Sequence, residues 1–310
     1  MKIFNSILEY QSHKKSIVTI GTFDGVHIGH KIILKKIIDE AIKDDCESVL
    51  LTFFPHPRMI LDENNSSIKL LNTLPEKIKL LEDLGLSVLI IHPFDKEFSQ
   101  LSAQEFVSSI LIDKLNLKKI IIGHDHRFGK NRAANYDDLV NYSKQFSFQV
   151  EQISPQEINK ITVSSTKIRT AISNGNISLA NKYLTYNYSL TGKVVKGRQL
   201  GRTIGYPTAN IKVEENYKLI PMNGVYIVSS FYNKQQLFGM MNIGIRPTVN
   251  GKETTIEVHF FNFNSSIYNE MVSISILKKI RDEQRFESLK DLQAQLNQDK
   301  NYSLFYLSDL

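Results

Sequence analysis

The sequence predicts two domains of different architecture, a doubly wound α/β half over residues 1–185 and an antiparallel β half over residues 186–310. Three observations predict this. The first half alternates short β-rich apolar runs with longer stretches of helical period. The second half has strand-like runs separated by turn residues, with no helices between them. A length of 310 residues suits two domains, at roughly 150 residues each.

In the first half, strands are expected over 16–23, 48–54, 87–92 and 118–123, and helices over 28–41, 75–85, 103–115 and 136–145. Ile33, Ile37 and Ala41 recur at helical spacing, with Lys35 and Lys36 off that face. Strand–helix–strand alternation calls for parallel pairing with helices on both sheet faces. Helical segments 166–173 and 177–184 close this half. In the second half, strands over 189–196, 224–231, 237–243, 254–263 and 271–278 read as an antiparallel sandwich or barrel, with a final helix over 288–298 packed across it.

Hydrophobic residues make up 42% of the chain and charged residues 23%, so disordered and fibrous classes are excluded. The net charge of +6 is spread thinly, 23 basic against 21 acidic groups in the first half and 15 against 11 in the second. Without a dense basic block, nucleic acid is not an expected partner; small polyanions suit the mild excess. Cys46 is the one cysteine, which points to a reducing, cytoplasmic setting. No signal-peptide order opens the chain, and no apolar run approaches the roughly 20 residues of a membrane span. No membrane partner is expected.

The segment GTFDGVHIGH, residues 21–30, follows the first strand and opens the first helix. Doubly wound sheets present ligands there, at a strand's carboxyl end. Gly21 and Gly25 let backbone approach a phosphate, and the helix N-terminus supplies free N–H groups. His27 and His30, three apart, would share a helix face and could both donate to one polyphosphate. Surface or capping histidines are the competing reading. Farther on stand PHPR (55–58), GHDHRFGKNR (123–132) and VSSTKIR (163–169).

In the second half, GRQLGRTIGYPTAN (197–210) spaces Gly197, Gly201 and Gly205 four apart and matches neither a Walker nor a Rossmann loop. In an extended segment Thr208 and Asn210 project to one side, two hard oxygen donors suited to Mg2+ beside ATP phosphates. Across 255–261, Ile256, Val258 and Phe260 alternate with Glu257, His259 and Phe261. Glu257 is then either a solvated strand residue or a proton acceptor for a hydroxyl.

These motifs, in this order and over nearly the whole chain, resemble the prokaryotic bifunctional riboflavin kinase/FAD synthetase family, whose first domain carries the T/HxGH signature of nucleotidyltransferases. The resemblance implies a Rossmann-like FMN adenylyltransferase domain over 1–185 and a Greek-key barrel, the riboflavin kinase, over 186–310. It implies ATP as cosubstrate at both sites, Mg2+ as cofactor, and riboflavin, FMN and FAD as the flavins handled.

By the same resemblance, His27 and His30 stabilise the adenylyl-transfer transition state, with Gly21, Phe23, Asp24, Asp125, Ser165, Thr166 and Arg169 around ATP. His56 and Arg58 fall on the flavin side. His124 and His126 belong to a nucleotide loop and not to a zinc site. In the kinase, Gly197, Gly201 and Gly205 shape the nucleotide loop, Thr208 and Asn210 hold the metal, and Glu257 is catalytic. Arg281, Glu283 and Arg285, in KKIRDEQRFESLKDLQAQLNQD (278–299), fall at the flavin; a salt-bridged helix start is the competing reading. Two stretches depart from the family pattern. Ala134-Asn135 stands where Gly-Asp is usual, and Asn262, Ser266 and Asn269 replace two carboxylates and a glycine.

Overall fold

Alternate residues of the first-half strands bury into two different clusters, one on each face of a sheet, as period-2 side chains must when both faces are covered. The computed structural model describes residues 1–61, 68–154, 163–197, 200–248 and 251–309. Strands β1 (Lys2–Phe4), β2 (Ser16–Ile20), β3 (Glu47–Phe53), β4 (Val88–His92), β5 (Leu117–Gly123) and β6 (Gln149–Ile153) pair in parallel, in the order β1-β4-β3-β2-β5-β6. Val18, Ile20, Val49, Leu51, Ile90 and Ile122 meet Phe106, Val107 and Leu111 on one face. Ile17, Leu50, Leu89 and Ile121 meet Ile33, Leu34, Ile37 and Leu81 on the other.

The helices of this unit are α1 (Ile28–Lys43), α2 (Pro57–Leu61), α3 (Leu74–Asp83), α4 (Ala103–Glu105) and α5 (Tyr136–Phe146). A capping box fixes the start of α3: Thr73 accepts from Glu76 N, and the Glu76 side chain answers Thr73 N. The helix expected over 103–115 is α-helical only in α4 and continues as π-helix over Phe106–Lys114, with Leu115 N donating to Ile110 O. Edge strands β1 and β6 were not expected. The first is three residues long, and the second, QVEQI, lacks an apolar run. Strand order reverses beside β2, so the carboxyl ends of β2 and β5 flank the crevice where such sheets take ligands.

Contacts divide the chain into Met1–Ser165 and Thr166–Leu310. Helix α6 (Ser165–Ser173) begins at that division, and α7 (Ile177–Leu184) lies in the second unit. Strands β7 (Ser189–Val195), β8 (Ala209–Lys212), β9 (Gly224–Tyr232), β10 (Gln235–Thr248), β11 (Gly251–Phe260) and β12 (Met271–Arg281) close into an antiparallel barrel, ordered β10-β11-β8-β7-β12-β9. Closure settles the choice between sandwich and barrel and leaves no sheet edge. Asn181 of α7 ties onto it, donating to Ile276 O at 2.9 Å. Short α8 (Leu200–Thr203) precedes β8. Among the described residues no helix is long and apolar enough to cross a membrane.

The last helix, α9 (Leu289–Ser308), outruns its expected end at 298 by ten residues. The polar run Asn297–Asn301 hides the reason. Asp299 is buried there and takes a bidentate ion pair from Arg281, with Nη2 at 2.8 Å and Nε at 3.0 Å. Gln295 and Ser303 bond to the same residue. Breaking such a pair strands one buried charge. Asp299→Ala is expected to cost the barrel unit roughly 3 kcal/mol, read as a lower urea midpoint, with a smaller loss in Asp299→Asn, which keeps an acceptor oxygen.

Candidate active sites

Between β2 and α1 the backbone takes left-handed values at Phe23 (φ 46°), Gly25 (φ 88°) and Val26 (φ 36°). For a β-branched residue this is a strained conformation, which persists only where the surroundings over-determine it. Phe23 and Val26 are buried in the α1 cluster. Asp24, also buried, accepts from the amides of Leu71 (2.9 Å) and Asn72 (3.4 Å). Ser165 Oγ donates to the Asp24 carbonyl at 2.9 Å, joining the VSSTKIR segment to this loop.

The loop delivers His27 to the N-cap of α1, where its Nδ1 accepts from His30 N at 3.4 Å. His27 is therefore just outside the helix, but the two rings still meet, stacked with centroids 3.6 Å apart. Phe23 covers His30 from another side at 4.6 Å. Burial, with the nearby charges of His27 and Lys77, drives the His30 pKa well below its ordinary value. Its buried Nδ1 has no hydrogen-bond partner. A neutral imidazole at a helix mouth is a donor waiting for an anion, and an arriving phosphate raises its pKa. Capping and donation thus coexist in this histidine pair.

Beside the loop a cleft is lined by Thr22, Asp24, Phe53, Phe54, His56, Leu70, Asn72, Leu74 and Lys77. His56 is buried and accepts from Arg58 N through Nδ1 at 3.1 Å, while the Arg58 side chain is exposed on α2. Lys77 was not anticipated. It is 8% exposed, and its ammonium donates to Thr22 O and Thr52 Oγ1, both at 3.2 Å. Burial pushes its pKa down to about 8, against the pull of Asp24. Its signal was available: it stands on the apolar stripe of α3 with Leu74 and Leu81. After Gly123, which ends β5, His124 and Asp125 are exposed, whereas burial drops the His126 pKa to about 4. Thr166 and Arg169, one turn apart on α6, share a face.

In the barrel, strand register sets Asn242 of β10, Glu257 of β11 and Asn210 of β8 abreast. Ile256, Val258 and Phe260 are buried, so Glu257 and His259 occupy the other face. Thr208 Oγ1 lies 3.5 Å from Glu257 Oε2. His259 Nδ1 is 2.8 Å from the carbonyl of Pro207, and the Tyr206 hydroxyl donates to Asn297 of α9, so two elements grip the residues before Thr208. Asn242 is a polar neighbour of Glu257 that strand patterning did not reveal. A Cβ on Gly197 would fall 2.2 Å from Asn210 Nδ2, so that glycine is what lets the amide sit there. Gly205, at φ 82°, makes the turn into Tyr206, and a Cβ on Gly201 would strike the Tyr206 carbonyl.

Glu283 reaches the same face. A Cβ on Gly244 would lie 2.2 Å from Glu283 Oε1 and 3.2 Å from Asn242 Nδ2. Arg281 pairs with Asp299, within α9, and donates to the Asp282 carbonyl. Arg285 is exposed. A second cleft of the barrel is lined by Arg202, Thr208, Val258, Phe260, Phe263, Ser266 and Tyr268, among others. The departures from pattern are accommodated. Asn262 (φ 53°) and Asn269 (φ 67°) take left-handed backbone that asparagine tolerates, and Asn135 forms a capping box with Asp138 at the start of α5.

A doubly wound domain with a histidine-capped phosphate loop, carried in one chain with a barrel bearing a Thr–Asn–Glu constellation, defines a two-site nucleotide-transferring enzyme. A family model described as FAD synthetase matches residues 9–167, and one described as riboflavin kinase matches residues 184–307. Bifunctional riboflavin kinase/FMN adenylyltransferases are similar along their whole lengths. That of Buchnera aphidicola subsp. Schizaphis graminum is 40% identical over 306 residues, covering 96% of each chain. That of Escherichia coli strain K12 is 33% identical, covering 97% of this chain and 96% of that one. A crystal structure described as a macrolide-efflux protein from Streptococcus pneumoniae shares the fold at TM-score 0.89 and 33% identity, covering 97% of each chain. The chain belongs to the bifunctional riboflavin kinase/FMN adenylyltransferase family.

Gly197→Ala should displace the Asn210 amide and lower riboflavin phosphorylation roughly 10- to 100-fold. Adenylylation of supplied FMN should be unchanged, and chromatographic assay of each step on the same preparation reads both.

Proposed function

We infer that this chain makes both flavin nucleotides, phosphorylating riboflavin to FMN with ATP and then joining FMN to the AMP part of a second ATP, with release of pyrophosphate. We assign adenylyl transfer to the His27–His30 loop and phosphorylation to the barrel. The observation that carries this division is that the His27–His30 loop and the barrel strands belong to separate compact units, each with its own matching family model.

In adenylyl transfer the nucleophile is a phosphate oxygen that is already ionised, so no residue has to remove a proton. The barrier is charge gathering on the α-phosphate and the departing pyrophosphate, which preset donors lower. His27, His30 and the amides at the mouth of α1 supply those donors. Ser165, Thr166 and the Arg169 guanidinium hold the triphosphate, with Gly21 and Phe23 shaping the loop and Asp125 at the nucleotide. Asp24 acts on the loop through the Leu71 and Asn72 amides. His56 and Arg58 flank the flavin.

In the kinase reaction the nucleophile is a hydroxyl, which must lose a proton. Glu257 accepts the proton of the ribityl 5′-hydroxyl as that oxygen attacks the γ-phosphate. Thr208 and Asn210 offer neutral hard oxygens next to a carboxylate, a donor set that fits Mg2+. Mg2+, when bound, neutralises phosphate charge as the γ-phosphoryl leaves. Glu283 and Arg285 face the flavin, with Arg281 bracing their segment against α9.

With riboflavin, ATP and Mg2+, His30→Ala should stop at FMN, its adenylylation falling roughly 100- to 1000-fold. Glu257→Gln should make no FMN from riboflavin yet still convert supplied FMN to FAD. Full FAD synthesis by His30→Ala would refute the first assignment.

A further inference from the structure

We propose that Lys77 recognises the phosphate of the acceptor FMN, and so lets the adenylyltransferase site tell FMN from riboflavin. This rests on placing adenylyl transfer at the His27–His30 loop. The cleft beside that loop is lined by Thr22, Asp24 and His56, with Phe53, Phe54, Leu70 and Leu74 as its apolar residues. Where loop and walls meet, an acceptor flavin must present its phosphate. Among the described residues lining the cleft, Lys77 is the one lysine or arginine.

An ammonium has three donors, and Lys77 spends two on neutral acceptors, Thr22 O and Thr52 Oγ1. Asp24, the acid that pulls on it, has its Oδ1 turned to the amides of Leu71 and Asn72. A buried cation without an ion pair is costly, and a phosphate dianion relieves that cost. Riboflavin has the same ring and no phosphate. It would fill the walls and leave the ammonium uncompensated, the situation in which a polar site rejects the analogue lacking its partner.

Lys77 faces Asp24 from the loop, His30 from α1, Thr52 from β3 and His56 across the cleft. With its pKa near 8, the free site loses its cation as pH rises through that value. Arginine at position 77 would keep its charge there.

The test uses the full chain with the β,γ-methylene analogue of ATP, which can give up AMP but cannot transfer its terminal phosphoryl group. FAD formation then reports the first site alone, with riboflavin as a competing inhibitor. Lys77→Met should raise KM for FMN at least about tenfold, while riboflavin Ki and nucleotide KM stay within about twofold. Lys77→Arg should keep the preference for FMN and abolish the rise in FMN KM expected of the wild type above about pH 8. An unchanged FMN KM in Lys77→Met would overturn the proposal. So would equal weakening of FMN and riboflavin, the mark of a cleft merely distorted. If the placement of adenylyl transfer is at fault instead, His30→Ala retains full FAD synthesis.

Discussion

Asp24 is the residue on which the first site hangs. Its carboxylate takes the Leu71 and Asn72 amides, its carbonyl takes the Ser165 hydroxyl, and its charge acts on buried Lys77. Those bonds tie two separate stretches of chain to a loop that is strained on its own account, with Val26 at φ 36°. Without that ligation the loop would relax, and the stacked His27–His30 pair at the mouth of α1 would lose its aim. The motif's acid thus serves phosphate chemistry by gripping backbone, which also keeps that carboxylate oxygen from facing a polyanion.

The two sites answer one question of charge in opposite ways. On the proposed assignment, a phosphate nucleophile arrives already charged, so the first site has to offer donors and needs no proton acceptor. His30, kept uncharged by burial and by its cationic neighbours, gains most when an anion binds. A hydroxyl nucleophile arrives neutral, so the barrel places a carboxylate, Glu257, between two asparagines on adjacent strands, with Thr208 beside it. Antiparallel register delivers that row without any loop having to fold around it.

Much of this was legible in the chain. Alternation of strand and helix fixed the parallel sheet, the position of GTFDGVHIGH after a strand located its crevice, and the Ile256–Phe260 alternation set Glu257 off the barrel core. What escaped reading shares a physical cause: polar residues whose burial depends on distant partners. Lys77 stands on the apolar stripe of α3, but its polar partners, Thr22 O and Thr52 Oγ1, are distant in the chain. Asp299 looks like the frayed end of a helix until Arg281 reaches it. Asn242 became visible only through its register with Glu257. Edge strands β1 and β6 lack the apolar runs that betray central strands.

The central claim is that the chain cuts ATP at two different bonds in two separate units, and the fate of label from each end of ATP tests it most directly. Incubated with riboflavin, the protein should carry γ-phosphate label into FMN and onward into FAD, and α-phosphate label into FAD alone. Substitution of His30 should remove only the α-label, whereas substitution of Glu257 should remove both labels with riboflavin and keep the α-label when FMN is supplied. Loss of the γ-label on replacing His30 in a folded protein, loss of the α-label from supplied FMN on replacing Glu257, or label from neither end reaching a flavin, would contradict the account.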